Sequence, residues 1–106
     1  MVAPKLVPVS GEDLTAFCQR WKVRELALFG SVLRRDFTSG SDIDVLVTFG
    51  RDARWSLLDT AHMEEELSRL VGRPVDLVNR GAIERSDNWI RRQAILGSAE
   101  PIYVAG

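Results

Sequence analysis

The sequence predicts a mixed α/β (α+β) domain, a layered sheet with helices rather than a bundle or a sandwich. Segments with apolar residues at helical spacing alternate with short runs rich in β-branched residues, and turn or capping signals separate them. The chain has 106 residues, 45% of them hydrophobic and 27% charged, which suits one core. A chain of this size buries about 65% of the surface that its unfolded form exposes. Residues 1–106 are therefore expected to form a single domain.

The elements follow in order. Ser10-Gly11-Glu12-Asp13 reads as a helix start, and Leu14, Phe17, Cys18 and Trp21 share one face of a helix ending near Lys22. Glu25 to Phe29 is a short apolar strand that runs into Gly30-Ser31, followed by a helical turn over Val32-Leu33-Arg34 and a turn-rich loop from Asp36 to Ser41. A second strand spans Asp42 to Phe49 and stops at Gly50. Ser56 and Asp59 repeat the helix-start signal, and Met63, Leu67, Leu70 and Val71 keep one apolar face until Gly72 and Pro74. Val75 to Val78 makes a third strand, Ile83 to Leu96 a third helix, and Ile102 to Val104 a last strand.

Charge and composition narrow the partners. Fourteen basic and fifteen acidic side chains give a net charge of −1, which argues against a general nucleic-acid binder held by counterion release. The single Cys18 makes no internal disulfide, and one Cys with one His cannot complete a structural zinc site. Met1 to Leu6 lacks the basic-then-apolar layout of a secretory signal, and no apolar run approaches the ~18 residues of a membrane span. A cytoplasmic protein without a membrane partner is expected.

Asp42 and Asp44 stand two apart on a strand, so both leave one face while Ile43, Val45 and Val47 enter the opposite apolar layer. Asp76 interrupts the third strand in the same way, and a neighbouring strand brings its carboxylate to ~5 Å from the first pair. Clustered carboxylates raise one another's proton affinity, and a divalent cation removes the conflict. Oxygen-only ligands suit Mg²⁺ or Mn²⁺, and two such ions ~3.5–4 Å apart serve phosphoryl displacement. The bland reading has Asp42 capping a loop and Asp76 on an exposed edge. A second constellation, Gly30-Ser31 after an apolar strand with Arg34 and Arg35 nearby, suits an anion: backbone N–H groups at a helical turn, a hydroxyl donor and cations. Its bland counterpart is a turn glycine and a capping serine.

Gly30-Ser31, ten intervening residues and Asp42-Ile43-Asp44 resemble the Gly-Ser-x10-Asp-x-Asp signature of the minimal nucleotidyltransferases in the DNA polymerase β superfamily. Ser41 to Val47 is similar to that family's second strand, and Val75-Asp76-Leu77-Val78 to its third-aspartate strand. The likeness spans Leu26 to Val78, about half the chain. It implies a nucleotidyltransferase fold, a small mixed sheet flanked by helices. It further implies that Gly30, Ser31 and Arg34 bind the nucleotide, that Asp42, Asp44 and Asp76 hold two Mg²⁺ ions, and that Asp76 is the candidate base. The implied reaction transfers a nucleoside monophosphate and releases pyrophosphate. Arg35 stands where the family often has glycine, which puts the loop geometry in doubt. Small stand-alone members resemble antitoxins paired with HEPN ribonuclease toxins, some of which transfer AMP from ATP to a toxin tyrosine. That resemblance implies ATP as donor and a HEPN-type toxin as partner.

Other classes remain open on sequence alone. A binding module of the same fold can block its toxin by contact, and transfer to a small molecule or an RNA end is a further reading. Homo- and hetero-oligomers are both compatible. Leu57-Leu58-Asp59-Thr60-Ala61 resembles an aspartic protease segment, but Met63-Glu64-Glu65-Glu66-Leu67 continues a helix where that chemistry needs a loop. An EF-hand starting at Asp42 fails because Leu46 and Val47 replace a ligand and the required glycine. His62 reads as a partly buried helix residue, Trp89, Ile90, Ala94 and Ile95 as core or interface, and Arg91, Arg92 and Glu64 to Glu66 as solvated surface.

Overall fold

A computed structural model describes residues 9–30 and 42–105. Its elements are α1 (Gly11–Arg20), β1 (Val23–Phe29), β2 (Ile43–Phe49), α2 (Leu57–Val71), β3 (Val75–Asn79), α3 (Arg80–Glu84), α4 (Trp89–Ser98) and β4 (Glu100–Val104). The helical turn and loop expected between Val32 and Ser41 lie outside the described residues.

The four strands form one mixed sheet in the order β3-β2-β1-β4. β1 pairs antiparallel with β2 and β4, and β2 pairs parallel with β3, the one pairing that needs a crossover helix, which α2 supplies. Strand alternation divides the side chains between two layers. Leu26, Leu28, Ile43, Val45, Val47, Val75 and Leu77 pack with Leu14, Phe17 and Cys18 of α1 and Met63, Leu67 and Val71 of α2. Ala27, Phe29 and Leu46 pack on the other face with Ile83 of α3 and Ile95 of α4. The expected mixed sheet with flanking helices is thus the observed architecture.

The capping signals work as hydrogen bonds. Ser10 accepts from the Asp13 backbone N–H at 3.0 Å to open α1. Ser56 and Asp59 form a reciprocal capping box: Asp59 N–H donates to Ser56 Oγ at 3.2 Å, and Ser56 N–H donates to Asp59 Oδ2 at 2.9 Å. These Ser56 bonds hold the Asp59 carboxyl below its ordinary range. Its stabilising share is therefore present above that range and is lost as the pH falls into acid. α2 ends on Gly72 at φ 75°, a left-handed cap that glycine adopts readily.

Two expectations are corrected. The continuous helix expected over Ile83 to Leu96 is two helices, broken at Arg85 to Asn88. Asn88 Oδ1 accepts from Arg91 N–H at 3.1 Å and opens α4, while Arg92 donates to Ser86 O at 2.8 Å and fixes the turn. Short polar side chains that bond nearby backbone compete with helix continuation. The second correction concerns Glu64 and Glu66. Glu64 Oε2 accepts from the Leu77 backbone N–H at 2.8 Å, and Ser68 Oγ accepts from Val75 N–H at 2.9 Å. These two α2 side chains cover the outer edge of β3, whose N–H groups would otherwise be exposed to edge pairing. Glu66 accepts from the Trp21 indole at 3.3 Å and pairs with Arg20 at 3.2 Å. Glu64→Ala is expected to destabilise the fold by about 1–3 kcal/mol, because a part-buried donor loses a charge-assisted partner. Thermal unfolding should then shift downward by several degrees, and a melting temperature equal to wild type would contradict the assignment.

Candidate active site

Alternation and register bring the carboxylates to one side of the sheet. Asp44 shares its face of β2 with Leu46, whereas Ile43, Val45 and Val47 are 1–2% exposed in the opposite layer. The parallel pairing sets Asp44 directly beside Asp76 of β3, and the antiparallel pairing sets Phe29 beside Asp44 from the other strand. Asp42 precedes β2 and is exposed.

Gly30 follows β1 at φ 73°, a left-handed conformation that side chains disfavour. A Cβ built there would collide with Asp44 Oδ2. The backbone turn thus favours glycine, and a side chain there would also displace the Asp44 carboxylate.

A cleft of about 620 Å³ opens at this point, within the usual range for a small-molecule site. Phe29, Gly30, Asp44, Asp76 and Val78 form its sheet side, and Arg91, Ala94, Ile95 and Ser98 of α4 form the facing wall. The lining mixes apolar side chains with two carboxylates and a guanidinium, which suits a ligand with an apolar body and several charges. Asp42 does not line the cleft. Among the described residues, no three His, Cys, Asp or Glu side chains gather closely enough to hold a metal ion. Asp44 and Asp76 stand in register, and Asp42 lies just before β2. Their all-oxygen donor set nonetheless has the chemistry that Mg²⁺ takes.

Of the residues singled out in the sequence, Gly30, Asp44 and Asp76 line the cleft, and Asp42 precedes the strand that carries Asp44. Ser31, Arg34 and Arg35 lie outside the described residues. Arg91 is the functional candidate that sequence reasoning set aside as solvated surface. Arg91, Ala94, Ile95 and Ser98 recur at i, i+3, i+4 and i+7, so one helix face carries them all, and the buried Ile95 orients that face toward the sheet. This spacing was the available signal. Trp89 and Ile90 are 57% and 65% exposed, which rules out the core half of the core-or-interface reading for both.

Alternative nucleophiles fall away on burial and geometry. Burial pushes the Cys18 thiol up to about 12, leaving it protonated near neutrality and enclosed between α1 and the sheet. His62 is exposed on α2, which corrects the partly buried placement, and takes no part in the cleft. Asp59 is committed to the cap of that helix. No helix among the described residues is long and apolar enough to cross a membrane.

The chain's likeness to known proteins runs over most of its length. The model of the nucleotidyltransferase domain family matches residues 13–99, which include Gly30, Asp42, Asp44, Asp76 and Arg91. The protein adenylyltransferase MntA of Thermococcus cleftensis is 39% identical over 66 residues, covering 62% of this chain and 65% of that relative. The chain thus spans a little under two thirds of the length of the curated relatives that it matches. A solved structure assigned as a minimal nucleotidyltransferase superposes with a TM-score of 0.64 at 31% identity, over 85% of this chain and 86% of that one. The fold also matches a chain from the complex of a tri-AMPylated Shewanella oneidensis HEPN toxin with its MNT antitoxin, with a TM-score of 0.57 at 19% identity, over 89% of this chain and 69% of the other. The sheet that pairs Asp44 with Asp76 behind Gly30 is therefore the family's scaffold, and the chain belongs to the nucleotidyltransferase domain family.

Proposed function

We propose that this chain is a Mg²⁺-dependent nucleotidyltransferase, an antitoxin that transfers AMP from ATP to a tyrosine hydroxyl of a HEPN ribonuclease toxin. The observation that carries the reading is the register of Asp44 with Asp76 in a cleft that Gly30 also borders. The relatives' names add the chemistry: the Thermococcus cleftensis protein is called a protein adenylyltransferase, and the Shewanella oneidensis toxin is AMPylated. In this reading residues 1–106 are one catalytic unit working in the cytoplasm, and the toxin presents the acceptor.

Each residue has a role in the transfer. Asp42, Asp44 and Asp76 would hold two Mg²⁺ ions, which when bound would supply neutralisation of phosphate charge. Asp76, at the cleft and exposed, takes the proton of the acceptor hydroxyl. The acceptor oxygen then bonds the α-phosphorus, and the bond to the bridging oxygen breaks, so that pyrophosphate leaves with the electron pair. Gly30, Ser31 and Arg34 hold the terminal phosphates, with Gly30 giving the backbone room beside Asp44. Positioning and charge neutralisation supply most of the acceleration.

One observation favours neutralisation by contact alone: Trp89 and Ile90 are exposed at the start of the helix that walls the cleft. Incubation with labelled ATP, Mg²⁺ and the toxin encoded by the adjacent gene separates the two. Mass spectrometry should find a covalent AMP adduct on the toxin, and Asp42→Ala and Asp44→Ala should abolish it. A wild-type protein that neutralises the toxin without forming an adduct overturns the catalytic reading in favour of contact.

A further inference from the structure

We propose that Arg91 is a positioning residue for the phosphate chain of the nucleotide, reaching it from the α4 wall opposite Asp44 and Asp76. The inference rests on the nucleotidyltransferase reading and assigns a second, independent cation to the anion that the Gly30 turn is proposed to hold.

Arg91 and Arg92 are neighbours of equal charge, yet the structure separates them. Arg92 is half-buried and committed, donating to Ser86 O at 2.8 Å in the turn that opens α4. The Arg91 guanidinium is exposed on the cleft, and among the described residues it has neither an ion pair nor a hydrogen bond. Its backbone N–H is engaged by the Asn88 cap that fixes the first turn. A cation in a first turn opposes the helix dipole, so the fold gains no stability by placing one there. Arg91 thus has no structural partner to account for its place on the cleft wall.

The opposing charges of the two walls define the ligand. Asp44 and Asp76 bring negative charge to the sheet side, and Arg91 on the α4 side suits an anion with paired oxygens, which a planar fork can grip in two places. A nucleoside triphosphate carrying divalent metal answers both walls at once. A neutral hydroxyl acceptor answers neither. Ala94 and Ser98, one and two turns along the same face, are small enough to leave room beside the apolar floor of Phe29 and Val78.

The test measures binding of ATP, ADP and adenosine to the full chain with Mg²⁺ and without acceptor, for wild type, Arg91→Met and Arg91→Lys. Arg91→Met keeps the aliphatic stem and is expected to weaken ATP about tenfold and adenosine not at all, with a shallower salt dependence. Arg91→Lys should recover part of the loss, since it restores charge without the fork. Equal ATP affinity in wild type and Arg91→Met overturns the assignment. A parallel fall in adenosine and ATP affinity also overturns it, because the change would then lie in the cleft as a whole. A wild-type chain that binds no ATP would instead defeat the nucleotidyltransferase reading itself.

Discussion

Asp76→Asn should lower AMP transfer by about 10²–10⁴-fold while leaving the free protein as stable as wild type, or slightly more so. The rate loss is that expected for removing a positioned general base. The stability effect runs the opposite way because Asp76 is exposed and stands in register with Asp44, and like charges facing one another across strands cost about 0.2–1 kcal/mol. Asparagine keeps the volume and removes one of the two charges. A purely structural aspartate would show the reverse pattern, a lower melting temperature with activity falling only as the folded fraction falls. Parallel measurement of adduct formation and thermal unfolding therefore decides between the roles. Full transfer by Asp76→Asn would remove this residue from the chemistry and leave Asp42 and Asp44 to be tested for it.

The part of the site that was legible in the sequence was the part governed by strand alternation. A period of two along the strand sets Asp44 on the face opposite Ile43, Val45 and Val47, whose apolar identity says which face is buried, while Asp42 falls just before β2. Asp76 between Val75 and Leu77 obeys the same rule, so the only missing fact was register, which the parallel pairing of β2 with β3 supplies. The Ser56 cap was equally local, with its partner three residues away.

What sequence alone did not reveal depended on contacts between distant segments. Glu64 sits in a run of three glutamates that looks uniformly solvated, yet it bonds Leu77 because β3 is an edge strand and α2 lies against that edge. No local signal distinguishes it from Glu65, which is exposed and pairs with Arg69 at 3.9 Å. The break between α3 and α4 is an intermediate case. Ile83, Ile90 and Ile95 suggest one apolar face, but Ser86-Asp87-Asn88 offers side-chain acceptors to the backbone, and the side-chain acceptors prevail. Arg91 follows from that break: restarting the helix at Trp89 sets the phase that turns Arg91 and Ile95 to the same side.

Gly30→Ala should damage both fold and function, and comparison with Gly72→Ala separates the causes. Both glycines have left-handed backbone, with φ of 73° and 75°, so alanine at either costs about 1–2 kcal/mol of backbone strain. Their surroundings differ. The Cβ at position 72 meets nothing within 4 Å, whereas at position 30 it meets the carboxylate of Asp44, a side chain that must move to admit it. Gly72→Ala is thus expected to lose several degrees of melting temperature and to transfer AMP normally below that temperature. Gly30→Ala should lose at least as much stability and, in addition, about 10²-fold in transfer, the scale expected when a reacting group is misplaced by about 1 Å. The difference between the two variants isolates the displacement of Asp44 from the strain of the turn. If Gly30→Ala kept wild-type transfer at a temperature where it is fully folded, the close passage of the chain beside Asp44 would have no catalytic consequence, and the role of Gly30 would reduce to that of a turn.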